Sequence, residues 1–208
     1  MTLENERYIS VEAYKLILVA NVDEFSVKDS LFMNLRTPEI CNLNNDQDPT
    51  EVTSFFNSIN ITTSLIKNST YIGATLGMSR VLLRWTDCNS VSISQNIFNA
   101  LTYFYLSRVA VIQDSSSLLF QGNRFLNIHT VDPFSKYFTS SISSLDSYMI
   151  WLLNTHEESH NTLAQFLDNN IQVDRKIGFL MVDNEETSAA ITLEYRNQSF
   201  ESAYNIPV

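Results

Sequence analysis

Two neighbouring stretches of the chain, residues 79–101 and 107–128, are copies of one pattern. In both, apolar and polar residues alternate, an asparagine interrupts the alternation, and a phenylalanine follows two residues later. Internal repeats of this length are typical of proteins that stack one small structural unit on the next. The repeat therefore limits the fold more than any other feature. The aligned pairs are Val91 with Leu118, Ile93 with Phe120, Asn96 with Asn123, and Phe98 with Phe125.

The same template recurs elsewhere, at intervals of 34, 32, 27 and then 75 residues, and the last interval leaves room for further copies. In the second copy the interrupting residue is a serine. We therefore predict that Ser64, Asn96 and Asn123 stack on one another as a polar ladder. The copies start at Phe25, Ile59, Val91, Leu118 and Leu193.

Alternation of apolar and polar residues predicts β-strands, because successive side chains of a strand point to opposite faces. No helical pattern separates the strands of a copy, so parallel strands wound as a solenoid are expected. The interruptions at Asn96 and Asn123 predict tight corners, since asparagine tolerates a left-handed backbone. Around residues 145–170 the template weakens, and the spacing of Ile150, Leu153 and Leu163 leaves a short helix or an irregular excursion open.

The strings around Asn96 and Asn123 resemble the asparagine ladder of right-handed parallel β-helices, the pectin-lyase-like fold. The resemblance is clear over residues 79–128 and extends more loosely over most of the chain. It implies an all-β, right-handed parallel β-helix of about six coils that forms a single domain over residues 1–208. The composition, rich in Asn, Ser and Ile, is also similar to that of large repeat-bearing surface proteins of protists.

The chain is strongly acidic, with 13 Lys and Arg against 23 Asp and Glu and a formal net charge of −10. This charge repels phosphate backbones and anionic membrane surfaces, so nucleic acid is not an expected partner. Apolar runs such as residues 149–153 are far too short to cross a bilayer. We therefore predict no membrane insertion within this stretch.

Three sequons for N-glycosylation begin at Asn60, Asn68 and Asn197. Their use would require passage through the secretory pathway. In a chain so rich in Asn and Ser they could also arise by chance. The prediction that follows is an extracellular or cell-surface protein, as a segment of a longer secreted chain or as a filament subunit.

Cys41 and Cys88 are the only cysteines of the chain. Cys41 lies in a polar loop after the first copy of the template, and Cys88 lies at the corner before the third. A disulfide between them is one interpretation. Two separate buried thiols is the other, and the sequence does not choose between them.

Oxygen ligands for calcium occur in the loop at residues 36–51, where Asp46 and Asp48 follow two asparagines. Carboxylate and amide oxygens suit this hard cation. The spacing matches no complete calcium-binding motif, so a solvated turn is the competing interpretation.

Residues 156–160 have the form H-E-x-x-H, with the sequence His156, Glu157, Glu158, Ser159, His160. On a helix, His156 and His160 would share one face and could bind zinc, and Glu157 could activate a bound water as in metalloproteases. The polar middle pair and the lack of a clearly placed third ligand favour an exposed polar loop instead.

The resemblance also implies an enzymatic alternative, because pectin-lyase-like proteins include polysaccharide lyases and hydrolases. Asp87 and Asp114 occupy equivalent corners, and Arg80 and Arg108 repeat with them. Catalysis needs unlike groups that converge on one place, whereas repeated groups are typical of a structural corner. No catalytic residue is therefore predicted.

These features together predict a non-catalytic structural or adhesive element that needs no cofactor. A solenoid ends in unpaired strand edges, which must be capped, continued or joined to another copy. The expected partners are thus flanking coils of the same chain or another copy of it. Glycans are a further candidate partner, through the aromatic residues Tyr103 to Tyr105. Polysaccharide binding or cleavage remains the main alternative function.

Overall fold

The structure is a computed structural model that describes residues 1–13, 15–37, 54–77, 80–104, 107–131, 148–155, 161–173, 177–184 and 190–202. Within these residues all regular secondary structure is β-strand. The strands are β1 (Thr2–Glu4), β2 (Arg7–Ile9), β3 (Ile17–Lys28), β4 (Leu31–Met33), β5 (Ser54–Lys67), β6 (Thr70–Ile72), β7 (Thr75–Leu76), β8 (Val81–Thr86), β9 (Ser90–Ser94), β10 (Ile97–Asn99), β11 (Thr102–Phe104), β12 (Arg108–Gln113), β13 (Ser117–Gln121), β14 (Arg124–Val131), β15 (Tyr148–Asn154), β16 (Thr162–Leu167), β17 (Asn170–Val173), β18 (Gly178–Asn184), β19 (Ile191–Arg196) and β20 (Ser199–Ser202).

Every strand pairing among the described residues is parallel, as the repeat predicted. A strand pairs with its equivalents in the preceding and following repeats, so the strand order is β15-β12-β8-β5 on one side and β5-β9-β13-β16-β19 on the next. The long β3 and β5 belong to both sides because each runs through a corner. This is an all-β parallel, solenoid-like fold.

The register of the central repeats agrees with the sequence alignment. Val91 lies opposite Leu118 and Ile93 lies opposite Phe120, while Phe98 lies opposite Phe125. The alternating positions that were predicted to be apolar and inward are all buried. The predicted repeat is therefore confirmed over this part of the chain.

The second copy of the template is shifted from its predicted position. Ser64, not Ile59, lies opposite Val91, and Ile66 lies opposite Ile93. The first and third positions of the template are apolar, the sixth is polar and the eighth is apolar. A shift of five residues therefore places the first position on the sixth and the third on the eighth, and the apolar third position still matches. Ala164 begins a later copy in the same way, opposite Leu118. The observed starts are Phe25, Ser64, Val91, Leu118, Ala164 and Leu193, at intervals of 39, 27, 27, 46 and 29 residues.

The helix considered for residues 145–170 is wrong for the described part of that range. Residues 148–154 form β15, which pairs with β12, and residues 162–167 form β16, which pairs with β13. Ile150, Leu153 and Leu163 have a spacing that fits a helix, but Ile150 lies opposite Ala110 in the sheet. The spacing of these residues fits both a helix and a strand, and pairing with the adjacent strand selects the strand.

Left-handed backbone occurs only at corners among the described residues, and these corners stack into three columns. Asp and Asn dominate the columns because they tolerate positive φ better than other non-glycine residues. The left-handed backbone expected at Asn96 and Asn123 is wrong by one residue, because the positive φ lies at Gln95 and Gly122 and each asparagine that follows is buried. The columns are Asn21, Asn60, Asp87 and Asp114; Asn5, Asp29, Asn68, Gln95, Gly122, Asp168 and Asn197; and Ser10, Asn34, Gly73, Ala100 and Asn127.

Aromatic rings fill the interior as a continuous stack. Phe32, Tyr71, Phe98 and Phe125 follow one another with ring centroids 4.9 Å apart and planes within 10° of parallel. Tyr8 continues the stack on Phe32 at 5.2 Å. The spacing equals the distance between adjacent strands, because each ring stands on the same position of its repeat. Offset stacking of this kind adds about 0.5–1.5 kcal/mol per pair beyond the burial of area.

Candidate functional site

Asn96 and Asn123 lie on adjacent repeats and form a buried hydrogen-bonded ladder. The Asn123 Oδ1 accepts a hydrogen bond from the backbone N–H of Asn96 at 3.0 Å and another from its Nδ2 at 3.1 Å. The Nδ2 of Asn123 donates to the backbone O of Ile93 at 2.8 Å. Both side chains are fully buried. The ladder therefore supplies hydrogen-bond partners to buried backbone groups at the corner, the N–H of Asn96 and the carbonyl of Ile93.

The neighbouring rung below Asn96 is Ser69. Its backbone N–H donates to the Asn96 Oδ1 at 2.9 Å. Ser64, the predicted rung, lies elsewhere in the core and accepts a hydrogen bond from the indole Nε1 of Trp85 at 2.8 Å. Because the register is displaced by five residues, serine at 69 takes the place expected for serine at 64.

The ladder extends beyond the residues that the sequence identified. Asn169 accepts from the backbone N–H of Asn123 at 2.9 Å, and Ser69 accepts from the backbone N–H of Ser30 at 3.2 Å. The signal available in the sequence was a polar residue followed two positions later by an inward apolar residue. Among the described residues, the side chains hydrogen-bonded along the ladder are Ser30, Ser69, Asn96, Asn123, Asn169 and Gln198.

Cys88 is buried at a corner, and its thiol contacts the backbone O of Thr86 at 3.4 Å. Burial raises the pKa of this thiol. Cys41, its partner in the predicted disulfide, lies outside the described residues. The pairing stays a prediction.

The three sequon asparagines are all exposed, and all have positive φ at corners. The Nδ2 of each donates to an Asn or Asp of the adjacent repeat. Asn60 donates to Asn21 at 2.8 Å and Asn197 donates to Asp168 at 3.0 Å. The third bond runs from Asn68 to Asp29. Attachment of a glycan to Nδ2 would replace one of its two amide hydrogens and leave the other to donate.

Asp87 and Asp114 occupy the same corner of adjacent repeats, as predicted. The Asp114 carboxylate accepts hydrogen bonds at 2.7 Å from the N–H and from the hydroxyl of Thr155. The predicted equivalence of Arg80 with Arg108 is wrong by one residue, because Arg108 lies opposite Val81.

A buried polar cluster lies on the side formed by β8, β12 and β15. Arg84 and Arg108 are 8% and 5% exposed. The Nη2 of Arg84 donates to Gln113 at 2.9 Å, and the Arg108 guanidinium lies 5.9 Å from the ring centre of Trp151. Burial of a guanidinium over an aromatic ring is stabilising because the ring face is electron-rich.

The C-terminal repeat, β18 to β20, presents inward-type residues to solvent. Tyr195 is 50% exposed and Phe200 is 61% exposed, although Phe166 and Ile171, at the same positions of the preceding repeat, are buried. Tyr195 stacks on Phe166 at 5.2 Å, so one of its faces is covered and the other is open. Among the described residues, strands β19 and β20 each pair on one edge. We define the apolar end surface as Tyr195 and Phe200; Phe200 also packs edge-on against Phe179 at 5.8 Å.

The predicted metal sites lie outside the described residues. These are the zinc residues His156 and His160 and the calcium residues Asp46 and Asp48. The aromatic side chains at residues 103–105 also lie outside the described set. Within the part of the chain that the structure describes, no three His, Cys, Asp or Glu side chains come together as metal ligands.

Comparison with protein family models, curated proteins and solved structures found no match. Among the described residues there is also no helix with the length and apolar character needed to span a bilayer.

Proposed function

We propose that this chain is a non-catalytic structural or adhesive element of the cell surface or extracellular space, built as a right-handed parallel β-helix of about six coils. Its role is to pack against further β-helical coils through its ends. The pectin-lyase-like resemblance of the ladder and the acidic, sequon-bearing composition support this assignment. No cofactor takes part.

The apolar end surface is the observation that carries the proposal. A β-solenoid with a finished end covers its last repeat with polar or helical segments, because an open edge templates further strand pairing. Here Tyr195 and Phe200 remain half or more exposed, and within the described part of the chain their strands pair on one edge. If another coil covered both rings, each Å² of apolar surface removed from water would contribute about 25 cal/mol to the stability of the contact. The end is therefore suited to receive a partner.

The exposed sequon side chains support the extracellular location. Asn60, Asn68 and Asn197 stand at outer corners, where an attached glycan would extend into solvent. We expect secretion from a eukaryotic host to give a product whose mobility shifts on treatment with an N-glycosidase. An unshifted product would remove this support.

The test of the function compares the wild-type chain with Phe200→Lys in analytical ultracentrifugation. Wild type is expected to associate as its concentration rises, and Phe200→Lys is expected to stay monomeric because a charge enters the end surface. Leu163→Lys is the matched control, since Leu163 is 38% exposed on the side of the solenoid. It should associate as wild type does.

The same preparations are then incubated with acidic and neutral polysaccharides. We expect neither new reducing ends nor the ultraviolet absorbance of unsaturated uronides. A wild-type chain that stays monomeric and cleaves one of these polymers would replace the structural assignment with the enzymatic one.

A further inference from the structure

We infer that the partner of the apolar end surface is the N-terminal repeat, β1 and β2, of a second copy, joined head to tail in the register that the repeats already use. The inference rests on the proposed function and specifies its partner and geometry. A contact between two different surfaces of identical chains closes into a ring or extends as a filament, depending on its geometry. Continuation of the repeat along the solenoid axis gives a filament.

The aromatic stack supports this register. One position of every repeat carries an inward ring or a bulky apolar side chain: Tyr8, Phe32, Tyr71, Phe98, Phe125, Ile171 and then Phe200. Tyr8 is half-buried, with Phe32 stacked on one side of it. Continuation by one rung places the Tyr8 of the second copy opposite Phe200. The same continuation places its Leu3 opposite Tyr195, because Leu3 and Tyr195 occupy equivalent positions.

The charges of the two edges are complementary at the outward position next to these rings. This position is Glu4 in the N-terminal repeat and Arg196 in the C-terminal repeat. Within the chain, Glu4 already lies opposite a cation, Lys28. A head-to-tail joint places Arg196 opposite the Glu4 of the second copy, and opposite charges across adjacent strands are stabilising. Both side chains are exposed in the single chain.

The polar ladder gives the joint a direction. From Ser30 to Asn169 the side-chain oxygen of each rung accepts the backbone N–H of the preceding repeat, as Asn123 does for Asn96. Glu6 holds the rung position of the N-terminal repeat, since its backbone N–H donates to Ser30 Oγ. Its carboxylate could accept the backbone N–H of Gln198 in a preceding copy. Two C-terminal edges placed together would not supply this acceptor.

The joint does not use every strand of the C-terminal repeat. Strands β19 and β20 meet β1 and β2, whereas β18 has no equivalent strand among the described residues of the N-terminal repeat. We therefore expect association that depends on concentration in the micromolar range or weaker, not a permanent assembly.

The test is a charge swap measured by sedimentation velocity at about 0.15 M salt, where exposed charges interact over about 8 Å. Glu4→Arg and Arg196→Glu should each weaken association about five- to tenfold, because each places like charges together. A 1:1 mixture of the two single variants should regain wild-type association. In the mixture every Arg at position 4 can meet a Glu at position 196, and every Glu4 can meet Arg196. Lys67→Glu is the matched control and should behave as wild type, because Lys67 occupies the same outward position on an interior repeat.

A cross-link tests the register independently. With Cys41 replaced by serine, Tyr8→Cys and Phe200→Cys in one chain should form disulfide-linked oligomers under mild oxidation. Adjacent parallel strands place such residues about 4.8 Å apart, within the reach of a disulfide. Ile9→Cys with Phe200→Cys is the control and should give little linkage, because neighbouring side chains of a strand point to opposite faces.

Three results would overturn the inference. They are unchanged association of both charge variants, failure of their mixture to recover, and equal linkage in the two cysteine pairs. If Phe200→Lys still abolishes association in that case, the end surface is used in another arrangement and the proposed structural function stands. If wild type never associates, the joint and the self-packing role fail together. Circular dichroism and thermal melts of each variant establish that the fold is retained.

Discussion

The backbone N–H and the side-chain Nδ2 of Asn96 both donate to one atom, the Oδ1 of Asn123, at 3.0 and 3.1 Å. The two residues are 27 positions apart in the sequence and one repeat apart in the fold. Each rung thus completes the hydrogen bonding of the rung before it. A defect in one rung leaves unpaired groups in two repeats.

Asn123→Ala is expected to lower the free energy of unfolding by about 3 kcal/mol. It removes the acceptor of the Asn96 N–H and the donor to the Ile93 carbonyl, and both groups are buried. Chemical denaturation measures the effect. Asn123→Ser should cost about half as much, because Ser69 shows that a hydroxyl can act as a rung.

The control for this prediction is Asn99→Ala. Asn99 accepts a solvent-accessible bond from Asn127 at 3.1 Å, and its loss should cost no more than about 0.5 kcal/mol. Equal losses for Asn99→Ala and Asn123→Ala would contradict the structural role of the buried ladder.

Tyr71→Phe is expected to stabilise the protein at neutral pH by about 1 kcal/mol. The Tyr71 hydroxyl is buried and has no hydrogen-bond partner among the described residues. Its removal therefore relieves an unsatisfied polar group while the ring stack on Phe32 and Phe98 is kept. The unfolding midpoint in denaturant measures the change. Tyr8→Phe serves as the control with a smaller effect, since Tyr8 is only half-buried.

Stability is expected to fall in alkaline solution. Burial raises the pKa of Tyr71 well above its usual 10.0 and raises the pKa of Cys88 above its usual 9.0. Above about pH 9 the unfolded chain loses these protons while the folded chain keeps them. Deprotonation therefore stabilises the unfolded state, and the free energy of unfolding falls. The contribution of Tyr71 and Cys88 to the free energy of unfolding is fully present below about pH 9 and is lost as the pH rises.

Denaturant titrations between pH 7 and pH 11 measure this dependence. The double variant Tyr71→Phe with Cys88→Ala should lose less stability over that range than wild type. An alkaline decline of equal slope in both proteins would show that other groups are responsible.

Ala100→Gly should raise the free energy of unfolding by about 1 kcal/mol. Ala100 has a φ of 52°, which costs an L-residue about 1–2 kcal/mol relative to the right-handed region. The matched variant is Gly73→Ala, at the same corner of the preceding repeat, where φ is 66°. It should destabilise by a similar or larger amount, because an added Cβ would lie 2.7 Å from the Oδ1 of Asn34. Thermal unfolding measures the change in stability of both variants. Two changes of the same sign would contradict the role of positive φ at this corner.

Some features of the candidate site were accessible from sequence and others were not. The equivalent corner positions of Asp87 and Asp114 were predicted from the repeat. The apolar end surface was expected only as an unpaired edge, since exposure of Tyr195 and Phe200 depends on what does or does not lie above them. The cluster of Arg84, Arg108 and Trp151 had no sequence signal, because it joins residues from three repeats on one side.

The sequence by itself determined the strand class, the parallel stacking and the alignment of Val91 to Phe98 with Leu118 to Phe125. It could do so because strand periodicity and the corner residue are local properties of the chain. Only the tertiary structure decided that Ser69 and not Ser64 is a rung, and that residues 148–154 are a strand. The template partly matches itself after a slip of five residues, and hydrogen bonds to neighbouring repeats, 27 or more positions away, select the register.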